Sequence, residues 1–260
     1  MKFFPEYLFK REITSFYHRY SFLRYFPQSS LFNKFKSFYY NCNNKYYNVI
    51  FGGSNIKFCS WPYGESLPIK GYLNEFPIKN GQIVIDGGAY QGVFTLIASQ
   101  LVGDEGKVVA FEPDKENYEK LLENIKLNNI KNVITLKRGL WKEDTFLEFN
   151  NTHNDSSSFI CDKNSVNTIE VAVVSLDEEL KRLNLNKIDF IKLDVEGSEL
   201  EVIEGSENLL KKNNVNLAIG SYHVINGEKT CYKLEKMLRK LGYKTKTSFP
   251  QHLTTYACKE

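Results

Sequence analysis

The chain has 260 residues, 42% of them hydrophobic and 25% charged, so it is long enough for one large packed domain with an appendage. Its net charge of only +3 gives no general reason to expect nucleic-acid binding, and no apolar run approaches the roughly 20 residues of a membrane-spanning helix. The five cysteines include no Cys-x-x-Cys pair, which argues against a disulfide framework or a zinc site and favours a reducing, cytoplasmic compartment.

Residues 1–47 predict a basic, aromatic-rich helical appendage. They contain 17 of the 37 aromatic residues, and residues 1–45 carry eight lysines and arginines against Glu6 and Glu12, a net charge of +6. Two interpretations stay open. The aromatic side chains pack on the main domain, or they form a surface for an anionic or carbohydrate acceptor or for peripheral membrane contact.

Residues 48–80 predict lead-in strands or a hairpin, because short apolar segments alternate there with glycine- and proline-containing turns. From 81 to 260, strands and helices alternate, which predicts a mostly parallel sheet with helices on both faces. The predicted strands are 83–86, 107–111, 132–136, 169–174, 187–194, 215–221 and a terminal pair within 243–258. The predicted helices are 92–102, 114–128, 197–212 and 229–241. The polar segment 150–158 is a candidate lid.

The most informative segment is 83–92, an apolar strand that ends in Asp86 and a glycine-rich turn before a helix. Glycines allow such a turn to bring backbone amides against a ligand, and the following helix adds the positive end of its dipole. The carboxylate of Asp86 suits a ligand that carries a positive charge beside a nucleoside. S-adenosylmethionine is such a ligand.

A second acid, Glu112, ends the next predicted strand. It lies about 26 residues beyond Asp86, near the offset of about 20 residues for a ribose-binding carboxylate. Both acids would lie at the carboxyl ends of neighbouring parallel strands, where open α/β sheets bind ligands. A carboxylate there can accept two charge-assisted hydrogen bonds from ribose hydroxyls. The alternative is that Glu112 only caps the helix that begins near Pro113.

A third segment, 191–199, places Asp194 and Glu196 at the end of a strand, before a glycine and a helix. If this strand lies beside the first one, Asp194 faces the same crevice as Asp86. Its carboxylate would then stabilise a sulfonium or take a proton from an acceptor hydroxyl. For Glu196 and Glu199, helix capping is the alternative.

These motifs together resemble the FkbM family of S-adenosylmethionine-dependent methyltransferases. The resemblance covers residues 80–245 and rests on Ile-Asp-Gly-Gly-Ala-x-x-Gly, Phe-Glu-Pro, Ser-Leu-Asp and Ile-Lys-Leu-Asp-Val-Glu-Gly-Ser-Glu, in that order. It implies a doubly wound, seven-stranded, mostly parallel, Rossmann-like sheet with one antiparallel strand near its edge. It also implies methyl transfer to a hydroxyl of a sugar, glycolipid or natural product.

The resemblance further implies a set of residues around S-adenosylmethionine. They are Asp86, Gly87, Gly88, Ala89, Tyr90, Gly92, Thr95, Glu112, Pro113, Leu140 and Asp194. Leu140 or the neighbouring Trp141 would flank the adenine ring, whereas Asn117 and Asn124 are taken as helix-surface residues. Tyr90 is a departure, because the family often has asparagine at this position.

The implied catalytic residues are Asp194, Glu196 and His223, with His223 as a base for the acceptor hydroxyl. A second departure is that Gly220 and Ser221 lack a carboxylate that many members carry shortly before the histidine. The alternative for His223 is a satisfied loop residue. No partner can be named for His18 and His252, and His153 lies in the polar loop.

Asp194, Glu196 and His223 could together ligate a divalent cation, but their spacing is not diagnostic, and we predict no metal. Two other function classes stay open. A catalytically inactive nucleoside-binding relative is consistent with the missing carboxylate at Gly220. An NAD-dependent oxidoreductase would share the glycine turn, but an acid beside its pyrophosphate is repulsive. No nucleic-acid partner is expected, and the sequence does not predict the oligomeric state.

Overall fold

The computed structural model describes residues 40–43, 46–51, 54–60, 62, 66–150, 168–225 and 227–259. The chain divides into two compact units, Met1–Trp61 and Pro62–Glu260. In the first unit, the described residues form an antiparallel sheet of β1 (Tyr40–Asn43), β2 (Tyr46–Phe51) and β3 (Ser54–Phe58). Strands therefore begin inside the segment predicted to be a helical appendage, and residues 1–39 lie outside the described residues.

The second unit begins with a helix, within the segment predicted as lead-in strands, and then alternates strands and helices. Its first elements are α1 (Ser66–Tyr72), β4 (Ile83–Gly87), α2 (Val93–Val102), β5 (Lys107–Phe111), α3 (Lys115–Leu127), β6 (Val133–Leu136), β7 (Gly139–Trp141) and β8 (Thr145–Asn150). They are followed by β9 (Thr168–Ser175), α4 (Leu176–Arg182), β10 (Phe190–Leu193), α5 (Glu199–Glu204), α6 (Glu207–Lys212) and β11 (Asn216–Gly220). The last are β12 (Val224–Ile225), β13 (Glu228–Lys229), α7 (Thr230–Lys240), β14 (Lys244–Ser248) and β15 (Thr254–Cys258).

Seven strands of the described residues form the central sheet, in the order β14-β15-β11-β10-β4-β5-β6. Strand β15 is antiparallel to both of its neighbours, and the other pairs are parallel. The predicted doubly wound, mostly parallel sheet with one antiparallel strand near its edge is confirmed. In the part of the chain that the structure describes, no helix is long and apolar enough to cross a bilayer.

The structure differs from the predicted elements in several places, and one predicted feature lies outside the described residues. Strands β7 and β8 were not predicted, and they pair with β9 in a separate small sheet instead of extending the central one. The predicted helix 197–212 is two helices, and a Cβ at Gly205 between them would lie 2.3 Å from the carbonyl oxygen of Trp141. The candidate lid, apart from Asn150 in β8, lies outside the described residues.

The central strands are buried on both faces, as expected of parallel strands with helices on each side. On one face, a core cluster that includes Ile85, Ile191 and Leu217 packs with Leu234 of α7. On the other face, Phe94 of α2 stacks on Phe190 with ring centroids 6.2 Å apart. The carboxyl ends of β4, β5 and β10 are thereby held side by side.

Candidate active site

The central sheet has a topological switch point between β4 and β10. Strand β5, the next along the chain after β4, pairs on one side of β4, whereas β10 pairs on the other side. Open α/β sheets bind ligands in the crevice outside the carboxyl ends of the strands at such a point. The glycine turn follows β4, Glu112 follows β5 and Asp194 follows β10, so the three predicted segments lie together.

The glycine turn depends on glycine at two positions. Gly88 has φ +74°, and a Cβ there would lie 1.9 Å from the carbonyl oxygen of Asp194. Gly92 has φ +90°, and a Cβ there would lie 2.4 Å from Cδ1 of Leu121. Tyr90 also adopts a left-handed conformation, with φ 51°, which costs a non-glycine residue about 1–2 kcal/mol. The backbone therefore approaches its neighbours too closely for larger residues at Gly88 and Gly92.

Asp86 is fully buried at the end of β4, and both of its oxygens have partners. The Lys192 ammonium donates to Oδ1 at 2.9 Å, and the Thr95 hydroxyl donates to Oδ2 at 2.5 Å. Asp86 and Lys192 are directly opposite each other in the β4–β10 register. Lys192 also donates to the carbonyl oxygens of Gly88 at 2.6 Å and Gly87 at 3.2 Å. Asp86 thus holds the lysine that fixes the glycine turn.

Glu112 is buried at the end of β5 and joins this strand to the glycine turn. Its Oε2 accepts the backbone N–H of Tyr90 at 2.7 Å, and its Oε1 accepts the N–H of Asp114 at 2.9 Å. Burial raises the pKa of Glu112 to about 7, although both backbone hydrogen bonds favour the charged form. The cap of α3 is Asp114, which accepts the N–H of Asn117 at 2.8 Å, so helix capping does not account for Glu112.

Each carboxylate oxygen of Asp194 accepts a hydrogen bond from a tyrosine hydroxyl. Tyr72 donates to Oδ2 at 2.6 Å, and Tyr222 donates to Oδ1 at 2.9 Å. His252 Nε2 lies 3.8 Å from Oδ2, within ion-pair distance but beyond a hydrogen bond. Burial alone would raise the pKa of Asp194, but His252, the Lys192 charge and the Tyr72 hydroxyl hold it well below its usual range. Asp194 is therefore an anion at neutral pH.

His223 lies between two carboxylates. Its Nε2 is 3.2 Å from Oε2 of Glu196, and its Nδ1 is 3.1 Å from Oε1 of the fully buried Glu199, although the latter pair lacks hydrogen-bond geometry. Burial alone would lower the pKa of His223, but the two carboxylates raise it to about 10. Burial raises the pKa of Glu196. A histidine that is protonated at neutral pH does not suit the predicted role of a base, whereas Glu196 can accept a proton.

Asp194, Glu196 and His223 each place one possible ligand atom within 4.8 Å of the other two. These oxygen and nitrogen atoms are also donors that divalent cations accept. Two members of this group already contact each other, since His223 Nε2 lies 3.2 Å from Oε2 of Glu196. The absence of a metal stays a prediction.

The other predicted residues occupy varied surroundings. Leu140 is 1% exposed and packs in the core, so its contact with an adenine ring stays a prediction. The prediction that Asn124 is a surface residue is wrong: Asn124 is fully buried and donates to the carbonyl oxygen of Gln91 at 2.8 Å, within the glycine turn. A Cβ at Gly220 would lie 3.0 Å from Oδ1 of Asp194, so a carboxylate at this position would crowd a second anion against Asp194.

Sequence reasoning missed four side chains of this site: Lys192, Tyr72, Tyr222 and His252. Lys192 had a detectable signal, since it interrupts an otherwise apolar strand directly before an acid. Tyr72 and His252 had none, because they come from α1 and from the turn between β14 and β15, far along the chain from Asp194. His18 and His153 lie outside the described residues.

The known proteins that this chain resembles are methyltransferases. A family model described as the methyltransferase FkbM domain matches residues 86–245. The chain is 24% identical over 153 residues to Methyltransferase 1 of Beauveria bassiana strain ARSEF 2860, a match that covers 51% of this chain and 61% of the relative. It is 29% identical over 167 residues to hexuronic acid methyltransferase AglP of Haloferax volcanii, with coverages of 62% and 63%. The chain thus spans less than two thirds of these relatives' length.

Among solved structures, the crystal structure of methyltransferase FkbM from Methylobacillus flagellatus KT matches with a TM-score of 0.54 and 17% identity. This match covers 75% of the chain and 46% of the solved chain. At this identity, the likeness supports the fold alone. Tyr72 and His252 fall outside the span of the family model.

Proposed function

Because the chain belongs to the FkbM methyltransferase domain family, we propose that it binds S-adenosylmethionine at the switch point between β4 and β10 and methylates a hydroxyl oxygen. One observation carries this proposal: the hydrogen bond from Tyr90 N–H to Glu112 joins the glycine turn to the acid that ends β5. Across the turn, Gly88 lies against Asp194. Three strand ends thus meet around one crevice.

The residues present suit an adenosyl sulfonium ligand. The glycine turn packs its backbone directly against Asp194 and Leu121, where a Cβ at Gly88 or Gly92 would collide, and this keeps the turn close to the strand ends. The Glu112 oxygens each accept one backbone N–H and keep further lone pairs for ribose hydroxyls. Asp86 acts indirectly in this proposal, because its oxygens hold Lys192 and Thr95. The remaining cofactor residues are Gly87, Ala89, Tyr90, Pro113 and Leu140.

Two carboxylates at the crevice have pKa values shifted in opposite directions, which is a common basis for dividing roles between acids. Asp194, whose pKa is lowered, stays charged and favours a cationic ligand. Glu196, whose pKa is raised, is the better proton acceptor for the acceptor hydroxyl. His223 keeps Glu196 in place through its Nε2. This assigns His223 a positioning role in place of the base predicted from the sequence.

When bound, S-adenosylmethionine supplies a methyl group on an activated sulfonium and leaves as the neutral thioether. The acceptor oxygen forms the bond to the methyl carbon, the electron pair of the broken carbon–sulfur bond returns to sulfur, and the hydroxyl proton goes to Glu196. Alignment of donor and acceptor supplies much of the rate acceleration in such a displacement. The protein's task is therefore to hold the two ligands and to accept one proton.

For the acceptor, we propose a carbohydrate hydroxyl, with a glycolipid or natural product as the alternative. The name of the AglP relative, a hexuronic acid methyltransferase, supports a sugar. Asp194 is held as an anion at the crevice and would repel an anionic group. A hydroxyl fits this charge pattern better than a sugar carboxylate does.

Isothermal titration calorimetry of the full chain tests the proposal. We expect S-adenosylmethionine to bind, and Glu112→Gln to weaken its affinity by at least about tenfold, since a charged hydrogen-bond acceptor is lost. Glu123→Gln, on the exposed face of α3, is the matched control and should leave the affinity unchanged. A thermal shift with NAD but none with S-adenosylmethionine would favour the oxidoreductase instead.

A further inference from the structure

Two side chains from outside the family-matched span reach Asp194. Tyr72 is the last residue of α1, and His252 lies in the turn between β14 and β15, whereas the family model matches residues 86–245. The two segments lie on either side of that span along the chain. They meet at the end of β10, within the crevice already described.

The direction of each hydrogen bond around Asp194 follows from the number of hydrogens that the donors carry. Tyr72 has one hydroxyl hydrogen, and it is donated to Oδ2 of Asp194 at 2.6 Å. Towards His252, the Tyr72 oxygen can therefore only accept, so the His252 Nε2 at 3.3 Å carries a hydrogen. Tyr222 donates to the other oxygen of Asp194 at 2.9 Å. The two tyrosine hydroxyls thus donate to the same carboxylate, and His252 donates to the Tyr72 oxygen.

Packing fixes the two outer residues. The Tyr72 ring is 2% exposed and packs edge-on against Phe94, with centroids 5.9 Å apart. The His252 ring packs edge-on against both Tyr72 at 5.1 Å and Tyr222 at 4.8 Å. These contacts leave the hydroxyl and the imidazole little freedom to turn away from Asp194. The orientation of the carboxylate is therefore set before any ligand binds.

The charged groups that face Asp194 come from several elements. Lys192 of β10 and His252 favour its charged form, and the two tyrosine hydroxyls solvate it. Glu196 opposes it as a like charge, and His223, paired with Glu196, offsets that charge. Lys192 is itself paired with the buried Asp86. The net result is one anion held towards the crevice.

We infer that Tyr72 and His252 are positioning residues that hold Asp194 as an anion at the switch point, where it favours a sulfonium ligand over a neutral thioether. The inference rests on the proposed function, since the two ligands are its methyl donor and demethylated product. Such selectivity would help the product to leave after the positive charge on sulfur has been lost.

The test measures the affinities of S-adenosylmethionine and S-adenosylhomocysteine by calorimetry and compares their ratio. For Tyr72→Phe and His252→Ala, we expect S-adenosylmethionine binding to weaken on the order of tenfold. Tyr72→Phe removes a hydrogen bond to the charged carboxylate, and His252→Ala removes the N–H that faces the Tyr72 oxygen. S-adenosylhomocysteine binding should change by less than about twofold, because it carries no sulfonium charge. Asp194→Asn should shift the ratio further, and His252→Gln, which keeps an N–H donor, should restore part of it.

Tyr243→Phe is the matched control, since Tyr243 is also buried and its single hydroxyl hydrogen faces two carbonyl oxygens, those of Leu210 and Asn213, at 3.1 Å each. Its affinity ratio should equal that of the wild type. If the Tyr72 and His252 variants lose affinity for both ligands equally, so that the ratio of the two affinities is unchanged, the inference is overturned and the proposed function stays intact. Failure of the wild type to bind either ligand overturns both. Circular dichroism checks folding, and the His252 variants, which alter a turn, keep the test valid if Tyr72→Phe unfolds.

Discussion

The two sides of the crevice are held together by different kinds of contact. On the side of β4 and β5, backbone groups take part in the contacts that join the glycine turn to β5: the N–H of Tyr90 binds Glu112, and the N–H groups of Gly88 and Ala89 bind the carbonyl oxygen of Phe111. On the side of β10 and β11, side chains from distant segments converge on Asp194 and His223. We call these the turn side and the side-chain side.

The difference suggests how each side can vary. Backbone contacts require only a particular local conformation, so a short run of glycines and acids is enough to specify the turn side. Side-chain contacts require several particular residues at once, and each can change independently of the others.

The largest expected effect is on the contact that links the two sides, the buried ion pair of Lys192 with Asp86. Lys192→Met removes the ammonium and leaves Asp86, which is fully buried, without its charge partner. We expect the free energy of unfolding, measured in urea, to fall by about 3–5 kcal/mol. The control is Lys211→Met, which breaks an exposed pair with Glu207 and should cost less than about 1 kcal/mol. Equal costs for the two variants would show that the buried pair does not hold the sides together.

A somewhat smaller effect is expected where the backbones of the two sides touch. Gly88→Ala places a Cβ 1.9 Å from the Asp194 carbonyl oxygen, so the turn must move away from β10. We expect a cost of about 3 kcal/mol in the free energy of unfolding, together with loss of cofactor binding. Gly81→Ala is an unusually close control. Gly81 has φ +78° against +74° for Gly88, but a Cβ at Gly81 would meet no atom of the described residues within 4 Å.

Gly81→Ala should therefore report the conformational cost alone, about 1 kcal/mol, and should leave cofactor binding intact. The difference between the two variants in the loss of unfolding free energy measures the cost of the close contact between the turn and Asp194. If both variants lose the same stability and both bind S-adenosylmethionine, the close approach at Gly88 is not a requirement of the site.

The same division explains how much could be predicted from the sequence. The turn side is local: the apolar strand, Asp86, the glycines and Glu112 lie within a short stretch, and strand–helix alternation fixes the order of the sheet. Asp194 was also predicted, because it ends a strand of the same kind. These features need only the periodicity of burial and the chemistry of turns.

The side-chain side could not be predicted in the same way. Tyr72 lies 122 residues from Asp194 along the chain, and one tyrosine at the end of a short helix has no pattern that indicates a polar partner. The role of His223 was predicted from its ordinary pKa, which two neighbouring carboxylates change only in the folded chain. Strand β7 has only three residues, too few for a pattern, whereas β8 has six residues, three of them apolar, and could have been predicted.

The smallest expected effect is on the pH dependence of the free energy of unfolding, and it tests His223 on the side-chain side. A histidine whose pKa is raised in the folded state binds its proton more tightly there than in the unfolded chain. Its contribution to stability is therefore complete below its ordinary pKa of 6.5 and is lost as the pH rises through about 10. At neutral pH we expect His223 to contribute on the order of 2 kcal/mol to the free energy of unfolding, through its charged hydrogen bonding.

His223→Ala should remove this contribution and, with it, the part of the stability loss between neutral pH and pH about 10 that His223 causes. Urea unfolding of both proteins across that range measures the difference, and Glu196→Gln should reduce the slope without abolishing it, because Glu199 still faces the other ring nitrogen. Parallel stability curves for the wild type and His223→Ala would mean that the imidazole is neutral. His223 would then be a candidate base again, and the proton shared between His223 and its two neighbouring carboxylates would lie on a carboxylate.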